Sequence, residues 1–405
     1  MGWQRGGGSG GFGSGRSRPV PGCARRDGPG RPAPWASTLG KRDKDGEIHH
    51  RPGRDVTLSA PKSVSLMAVV GGDDRIVAAH DRAVTRTLGW VERNAVETRM
   101  QDKASGVMVH AGGQKVVAAT FRHDTSRNLD PQLHAHAVVA NMVQGEDRKW
   151  RTMVNDGLYR NKMAIGAVYR SELARSLKDL GYGIEKTHAD GRFEIAGVVE
   201  GFSTRRAEIG AAMMARDEGA PLENPKLADR AALMTRARKR DVDKGELRRS
   251  WERQAAELGF SADTVRAKAR RAERELPLPD LFSDPGRPAA EAAGWAVAHL
   301  SERQAVFSHG DRLAGALARD PGAVTAEAAE QAMATLEQDR VLHAARGLES
   351  GKHWTTDAAM ARESEAIALM KAGQGAEKTI MRGWIAETKL HGGRRDTPAR
   401  ARRRC

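Results

Sequence analysis

The sequence predicts an α+β protein: an antiparallel sheet carrying helices, then a basic helical extension, then a small winged-helix-like unit. Three observations predict it. Apolar residues alternate with polar ones in a short stretch at 54–59, and β-rich runs follow at 114–123 and 133–143, as in strands that bury one face. Apolar residues recur at helical spacing elsewhere, as at Val77, Val84, Leu88 and Val91, the pattern of an amphipathic helix. Turn residues stand at the joints, Asp190-Gly191 among them.

Residues 1–44 are rich in Gly, Arg, Pro and Ser and lack apolar periodicity. Such a stretch buries too little surface to offset chain entropy and is expected to be disordered. RGG-like composition of this kind can bind single strands, and GC-rich coding DNA read in a wrong frame gives the same composition. Order is expected from about Asp45. In RDVTLSAPKSVSLMAVV, Val56 and Leu58 alternate with Asp55, Thr57 and Ser59, which makes a half-buried strand that Ala60-Pro61 ends. A helix of five or six turns should follow Asp73 and Asp74, two acids suited to its first turn. QKVVAATFRH and LHAHAVVANMV read as a hairpin joined by the polar loop DTSRNLDPQ. Residues 158–182 read as one long helix with Gly181 past its end, followed by a hairpin turning at Asp190-Gly191.

From about 204 to 274 the pattern is helical and strongly basic, and 277–288 reads as a linker. Residues 289–373 give helix, helix, two short strands around GLESG, and a closing helix, the outline of a winged-helix-like unit. Residues 390–405 form a basic tail expected to be disordered.

The 405 residues carry 67 Lys and Arg against 52 Asp and Glu, a net charge of +15 that favours a polyanion such as nucleic acid as partner. A merely solvated basic surface stays open on charge alone. The two cysteines, Cys23 and Cys405, have no metal-type spacing and no disulfide framework, which fits a reducing cytosol. No apolar run reaches eighteen residues and the N-terminus lacks a signal-peptide core, so a cytoplasmic location is expected.

HDTSRNLDPQLHAHAVVAN (123–141) holds the chemistry. Strand alternation sends His134 and His136 to one face, and a hairpin brings His123 to the same side. Three neutral imidazoles would hold a divalent metal with open positions for phosphate oxygens. Ordinary surface or core histidines remain the alternative on spacing alone. A cupin-type HxH site is disfavoured because no Glu follows the pair until Glu146.

FRHDTSRNLDPQLHAHAVVAN resembles the histidine motif of the MobF-type, TrwC/TraI-like conjugative relaxases. RPGRDVTLSAPKSVSLM with GGDDRIVAAHDRAV behind it resembles another stretch of that family, and the similarity runs from about Asp45 to Arg274. The resemblance implies the HUH relaxase palm, an antiparallel sheet, over about 45–276, with the core ending near 203 and the basic extension after it. It implies binding of single-stranded origin-of-transfer DNA, contact with other conjugation proteins, and nicking by transesterification with a divalent metal, Mg, Mn or Zn. Carried over, the ligands are His123, His134 and His136. Asp55 would orient one metal histidine. Lys62 and Arg127 would reach DNA phosphates.

The family's nucleophilic tyrosines lie near its N-terminus, upstream of DVTLSAPKSVS. This chain has three tyrosines, Tyr159, Tyr169 and Tyr182, none of them there, and packing is the expected role of all three. No GxxxxGK[ST] loop occurs, so no ATP hydrolysis is expected, and 289–373 resembles the segment that precedes a helicase motor in larger members. The chain is therefore read as a relaxase truncated or frame-disrupted at its N-terminus, with no nucleophile. A non-catalytic DNA-binding remnant and a metal-dependent phosphodiesterase using activated water are the alternatives.

Overall fold

The computed structural model describes residues 41–42, 48–49, 52–102, 104–198, 242–276, 286–345 and 353–375, with Met234 and Asp284 besides. The expected disordered segment before residue 41, the helices expected over 204–241, the core of the linker and the basic tail lie outside them. The chain divides into two units at Pro52/Gly53. In the first, strands β1 (Lys41–Arg42) and β2 (Ile48–His49) pair antiparallel.

The second unit is built on a six-stranded sheet. Its strands are β3 (Gly53–Ser59), β4 (Glu97–Gln101), β5 (Met108–Gly112), β6 (Lys115–Thr125), β7 (Pro131–Gln144) and β8 (Trp150–Val154). The order is β3-β7-β8-β4-β5, with β6 on β7, and every pairing is antiparallel. β7 is the hub: β3 pairs with it over 134–140, β8 over 142–144, and β6 along nearly its whole length. β4, β5 and β8 answer to no expected strand. They are five residues each with at most one buried residue apiece, so no alternating apolar face marks them.

After Pro61 the chain turns through the short helix α1 (Lys62–Ser65) into a π-helical turn, Leu66–Val70. This segment packs on the back of β7: Ala60 N–H donates to the Leu133 carbonyl, and Leu133 N–H donates to Ser65 Oγ. Helix α2 (Asp74–Asn94) begins at Asp73, whose side chain caps it by accepting from the Arg75 N–H. The expected long helix is two, α3 (Asp156–Arg160) and α4 (Lys162–Asp179), interrupted at Asn161. Gly181, at φ +78, ends α4: its N–H donates to the Lys178 carbonyl and that of Tyr182 to Leu177, a left-handed cap that glycine adopts without strain. The hairpin β9 (Ile184–Lys186) and β10 (Phe193–Ile195) turns at Gly191 as expected.

Helices α5 (Lys244–Glu257) and α6 (Ala262–Arg274) follow. Then come α7 (Arg287–Ser301), α8 (His309–Arg319), α9 (Ala326–Gln338), a sheet of β11 (Phe307–Ser308), β12 (His343–Ala344) and β13 (His353–Thr355), and α10 (Asp357–Gly373). The expected separate unit after residue 289 is not separate in its packing. Leu313, Leu317, Ala329 and Met333 belong to the same buried cluster as Trp90, Val91, Leu173 and Leu177. Polar ties cross the same seam: Trp90 Nε1 donates to Glu330 Oε1 at 2.8 Å and Ser171 Oγ to the Val324 carbonyl at 3.0 Å. Pro- and Gly-rich sequence marks a chain connection at 277–288, which says nothing about whether the flanking surfaces meet.

Candidate functional site

The alternation along β7 makes the site. Leu133, Ala135, Ala137 and Val139 are buried on one face, and His134 and His136 leave from the other. β6 brings His123 directly opposite His134, and Phe121 opposite His136. β3 brings Ser59 beside His134 and Thr57 beside His136. The three rings stand together: their centroids are 5.3 Å apart for His123 and His134, 5.3 Å for His123 and His136, and 5.2 Å for His134 and His136.

Two of the rings have their Nδ1 engaged. His136 Nδ1 lies 2.6 Å from Asp55 Oδ2 and 3.3 Å from Thr57 Oγ1, and His134 Nδ1 lies 2.9 Å from the Gln132 carbonyl. A carboxylate and a carbonyl only accept, so in the neutral rings both Nδ1 atoms carry the proton. Nε2 is then the nitrogen with a lone pair for a metal. Asp55 is the nearer of the two acceptors at His136 Nδ1. Thr57 is a second acceptor that the sequence reading passed over, although the same alternation that put Asp55 on this face puts Thr57 there.

Imidazoles bound about 2.1 Å from an ion would have ring centroids about 5.2 Å apart in a tetrahedral site, and the observed spacing matches. Among the described residues no group of three His, Cys, Asp or Glu side chains has the geometry to hold a metal ion. The centroid spacing alone fits an ion, and the His123 and His134 rings lie stacked, 24° apart in plane. Asp55 and His136 side chains are 48% and 35% exposed, so the site is open to solvent and to a large ligand.

The remaining expected residues fare differently. Lys62 does not point outward: its Nζ donates to the Pro131 carbonyl at 3.1 Å. Burial pushes its ammonium below the usual range, against the pull of Asp130 and Glu194. The loop entering β7 thus sits over the start of α1, and Lys62 is half-buried between them. Arg127 is exposed in the loop between the histidine strands. Tyr169 is buried with its hydroxyl 2.7 Å from His80 Nδ1, and Tyr182 is buried, donating to Asp73 Oδ2 at 2.7 Å. Packing therefore describes these two. It does not describe Tyr159, which is 62% exposed on α3 with Arg54 over its ring at 6.0 Å. Arg54 leaves β3 on the face opposite Asp55, so Tyr159 is held away from the histidines.

Among the described residues no helix is long and apolar enough to cross a membrane.

The comparisons with known proteins fall on this region. The family model described as TrwC relaxase matches residues 23–258. The multifunctional conjugation protein TraI of Escherichia coli is 39% identical over 284 residues, covering 67% of this chain and 16% of that protein. The chain thus spans about a sixth of the length of that relative. Among solved structures, conjugative relaxase TrwC in complex with oriT DNA, copper-bound, is 38% identical over 58% of this chain and 78% of that one, with a TM-score of 0.50. A metal-bound structure of the same complex is 39% identical, covering 55% and 77%, also with a TM-score of 0.50. The matched stretch holds β3, the hairpin with all three histidines, and all of α5, and over that stretch this chain belongs to the TrwC relaxase family.

Proposed function

We propose that this chain binds single-stranded origin-of-transfer DNA and holds a divalent metal at His123, His134 and His136 against the phosphate to be cut. The observation that carries it is the convergence of three imidazoles on one open sheet face, two with Nδ1 already committed to acceptors. When bound, the ion would neutralise charge on the non-bridging phosphate oxygens, which is what phosphoryl transfer demands. The chain's own residues do the rest. Asp55 holds the His136 tautomer, and the Gln132 carbonyl holds that of His134. Three imidazoles favour a transition metal or zinc over magnesium by ligand softness, and the copper-bound relative is in keeping with that.

The same face supports a single strand as the ligand. Phe121, beside His136, is 54% exposed, and Val138, next along β7 on that face, is 38% exposed. An exposed aromatic ring on a sheet beside a phosphate site offers a base something to stack on. Arg127 and the exposed basic residues of α5 and α6 supply backbone contacts. The helices and three-stranded sheet from α7 to α10 are read as a winged-helix-like element, supported by their order along the chain. A cytoplasmic place and conjugation proteins as further partners belong to the same reading.

With Tyr169 and Tyr182 buried and Tyr159 across the sheet, this chain as given is proposed to bind origin DNA without forming a phosphotyrosyl bond. The test uses an origin-hairpin oligonucleotide with wild type and His134→Ala. Wild type should bind the oligonucleotide and about one equivalent of Zn²⁺ or Mn²⁺, H134A should lose the metal, and no covalent adduct should form. Equal metal content in both proteins would sink the ligand assignment, and a covalent 5′ adduct would sink the missing nucleophile. Metal-dependent cleavage without an adduct would favour activated water.

A further inference from the structure

The two histidine strands are joined by a loop whose shape is held from outside. Ser126 closes it internally: its N–H donates to the Asp130 carbonyl at 2.9 Å, and its Oγ accepts from the Asn128 and Asp130 N–H groups at 3.2 and 3.1 Å. Leu129 sits in the left-handed region at φ 64, where a branched side chain is strained. The β6–β7 ladder is irregular here: its register shifts between His123 and Thr125 before a single further pair, Thr125 with Pro131.

The outside support comes from α5. Trp251 Nε1 donates to the Leu129 carbonyl at 2.8 Å, across 122 residues of chain. The indole is 6% exposed, buried with Leu66 and Ala255, with Val69, Val70 and Phe260 packed around them. The same helix brings Lys244 Nζ within 3.9 Å of Asp124 Oδ2, one residue past His123. Lys62 holds the other flank through the Pro131 carbonyl. A strained residue persists only where its surroundings over-determine it, and the indole N–H aimed at the strained residue's own carbonyl does that.

We infer that Trp251 is a positioning residue for the histidine cluster: its N–H pins the loop at Leu129 and so sets His123 against His134. This rests on the metal reading above for its chemical consequence, though the latch itself does not. Trp251→Phe keeps the buried ring and removes only the N–H. In the full-length, metal-free chain, deuterium exchange at the amides of 126–130 should quicken about tenfold in W251F, since one buried hydrogen bond is worth about that factor. Unchanged exchange overturns the proposal. Co²⁺ titration, followed by its visible absorption, should show about tenfold weaker binding and an altered spectrum in W251F, as expected for a lost supporting contact. Equal affinity with an identical spectrum also overturns it. Adding Leu129→Gly to W251F should return both readouts toward wild type, because glycine takes positive φ without strain. A double variant as loose as W251F would place the effect in ring packing and overturn the latch. If wild type takes up no Co²⁺, the metal reading falls and the exchange rates alone decide the latch.

Discussion

Asp55→Ala is the substitution that most directly tests how the site is supported. Asp55 Oδ2 accepts from His136 Nδ1–H at 2.6 Å, and Thr57 Oγ1 stands 3.3 Å from the same nitrogen. Supporting contacts of this kind are worth roughly 10- to 100-fold in metal affinity. Two features set the value here. The carboxylate is half exposed, so water replaces part of what it gives, and Thr57 remains as a fallback acceptor. D55A should therefore weaken binding by about tenfold, or about 1.4 kcal/mol. Thr57→Val alone should cost under about threefold, because the shorter, charged contact dominates. With both acceptors gone the ring is free to choose the wrong tautomer, and D55A/T57V should lose about 100-fold. Competitive Zn²⁺ titration at pH 7.5 with a chromophoric chelator measures all four proteins. If D55A and D55A/T57V bind as wild type does, His136 does not depend on this pair, and the tautomer argument is refuted. A loss in D55A as large as in His136→Ala would refute the fallback role of Thr57.

Two further outcomes concern the scaffold. Burial, aided by nearby Arg122 and His134, holds His80 down at about pKa 4 from 6.5. The unfolded chain therefore takes up this proton first, and the stability that neutral His80 gives is whole above pH 6.5 and drains away toward pH 4. At pH 5 the loss is on the order of 2 kcal/mol. Urea unfolding at pH 7.5 and 5.0 should show that loss in wild type and not in His80→Gln, and equal pH dependence would refute it. Arg312 is buried on α8 with its guanidinium 3.8 Å over the Trp354 ring and 2.6 Å from Glu337. R312A should lower unfolding stability by about 3 kcal/mol and R312K should recover little of it, since an ammonium cannot stack as the planar group does. A loss below about 1 kcal/mol in denaturant would show that the stack carries little.

What the sequence disclosed followed the strength of its periodicity. HAH on a strand puts two side chains on one face whatever surrounds it, and a short polar loop returns the chain antiparallel, so the triad was legible from spacing. Asp55 was legible as a candidate by resemblance, and its aim at His136 depends on the β3–β7 register, which only the fold sets. The tie of Lys62 to the loop entering β7 was not legible, because a lysine after Pro61 looks like a surface charge. Nothing local says that the Pro131 carbonyl, 69 residues on, will sit within reach of its Nζ. KSVSLMAVV was illegible for a different reason. A short apolar run after a proline is strand-like and helix-like at once, and the π-helical turn is decided by packing on β7. Trp251 had no local signal, since its role exists only across 122 residues of chain.

The placement of His134 and His136 on β7, with His123 opposite on β6, has a physical logic that joins these points. A metal site needs ligands held within a fraction of an ångström, and strands inside a sheet hold them better than loops do. β7 is paired on both sides where His134 and His136 leave it. On its back, Ala135 and Ala137 alternate with those histidines, and residues this small let the helical segment after Pro61 come close enough for backbone and Ser65 contacts at Leu133. His134 and His136 thus inherit the rigidity of the core behind them. His123 does not: it stands at the end of β6, next to a register slip and a strained loop. α5, carrying Trp251 and Lys244, reaches the loop beside it. Substitutions near β7 should therefore act on the site through folding stability, while substitutions on α5 should act on its metal geometry with the fold left intact.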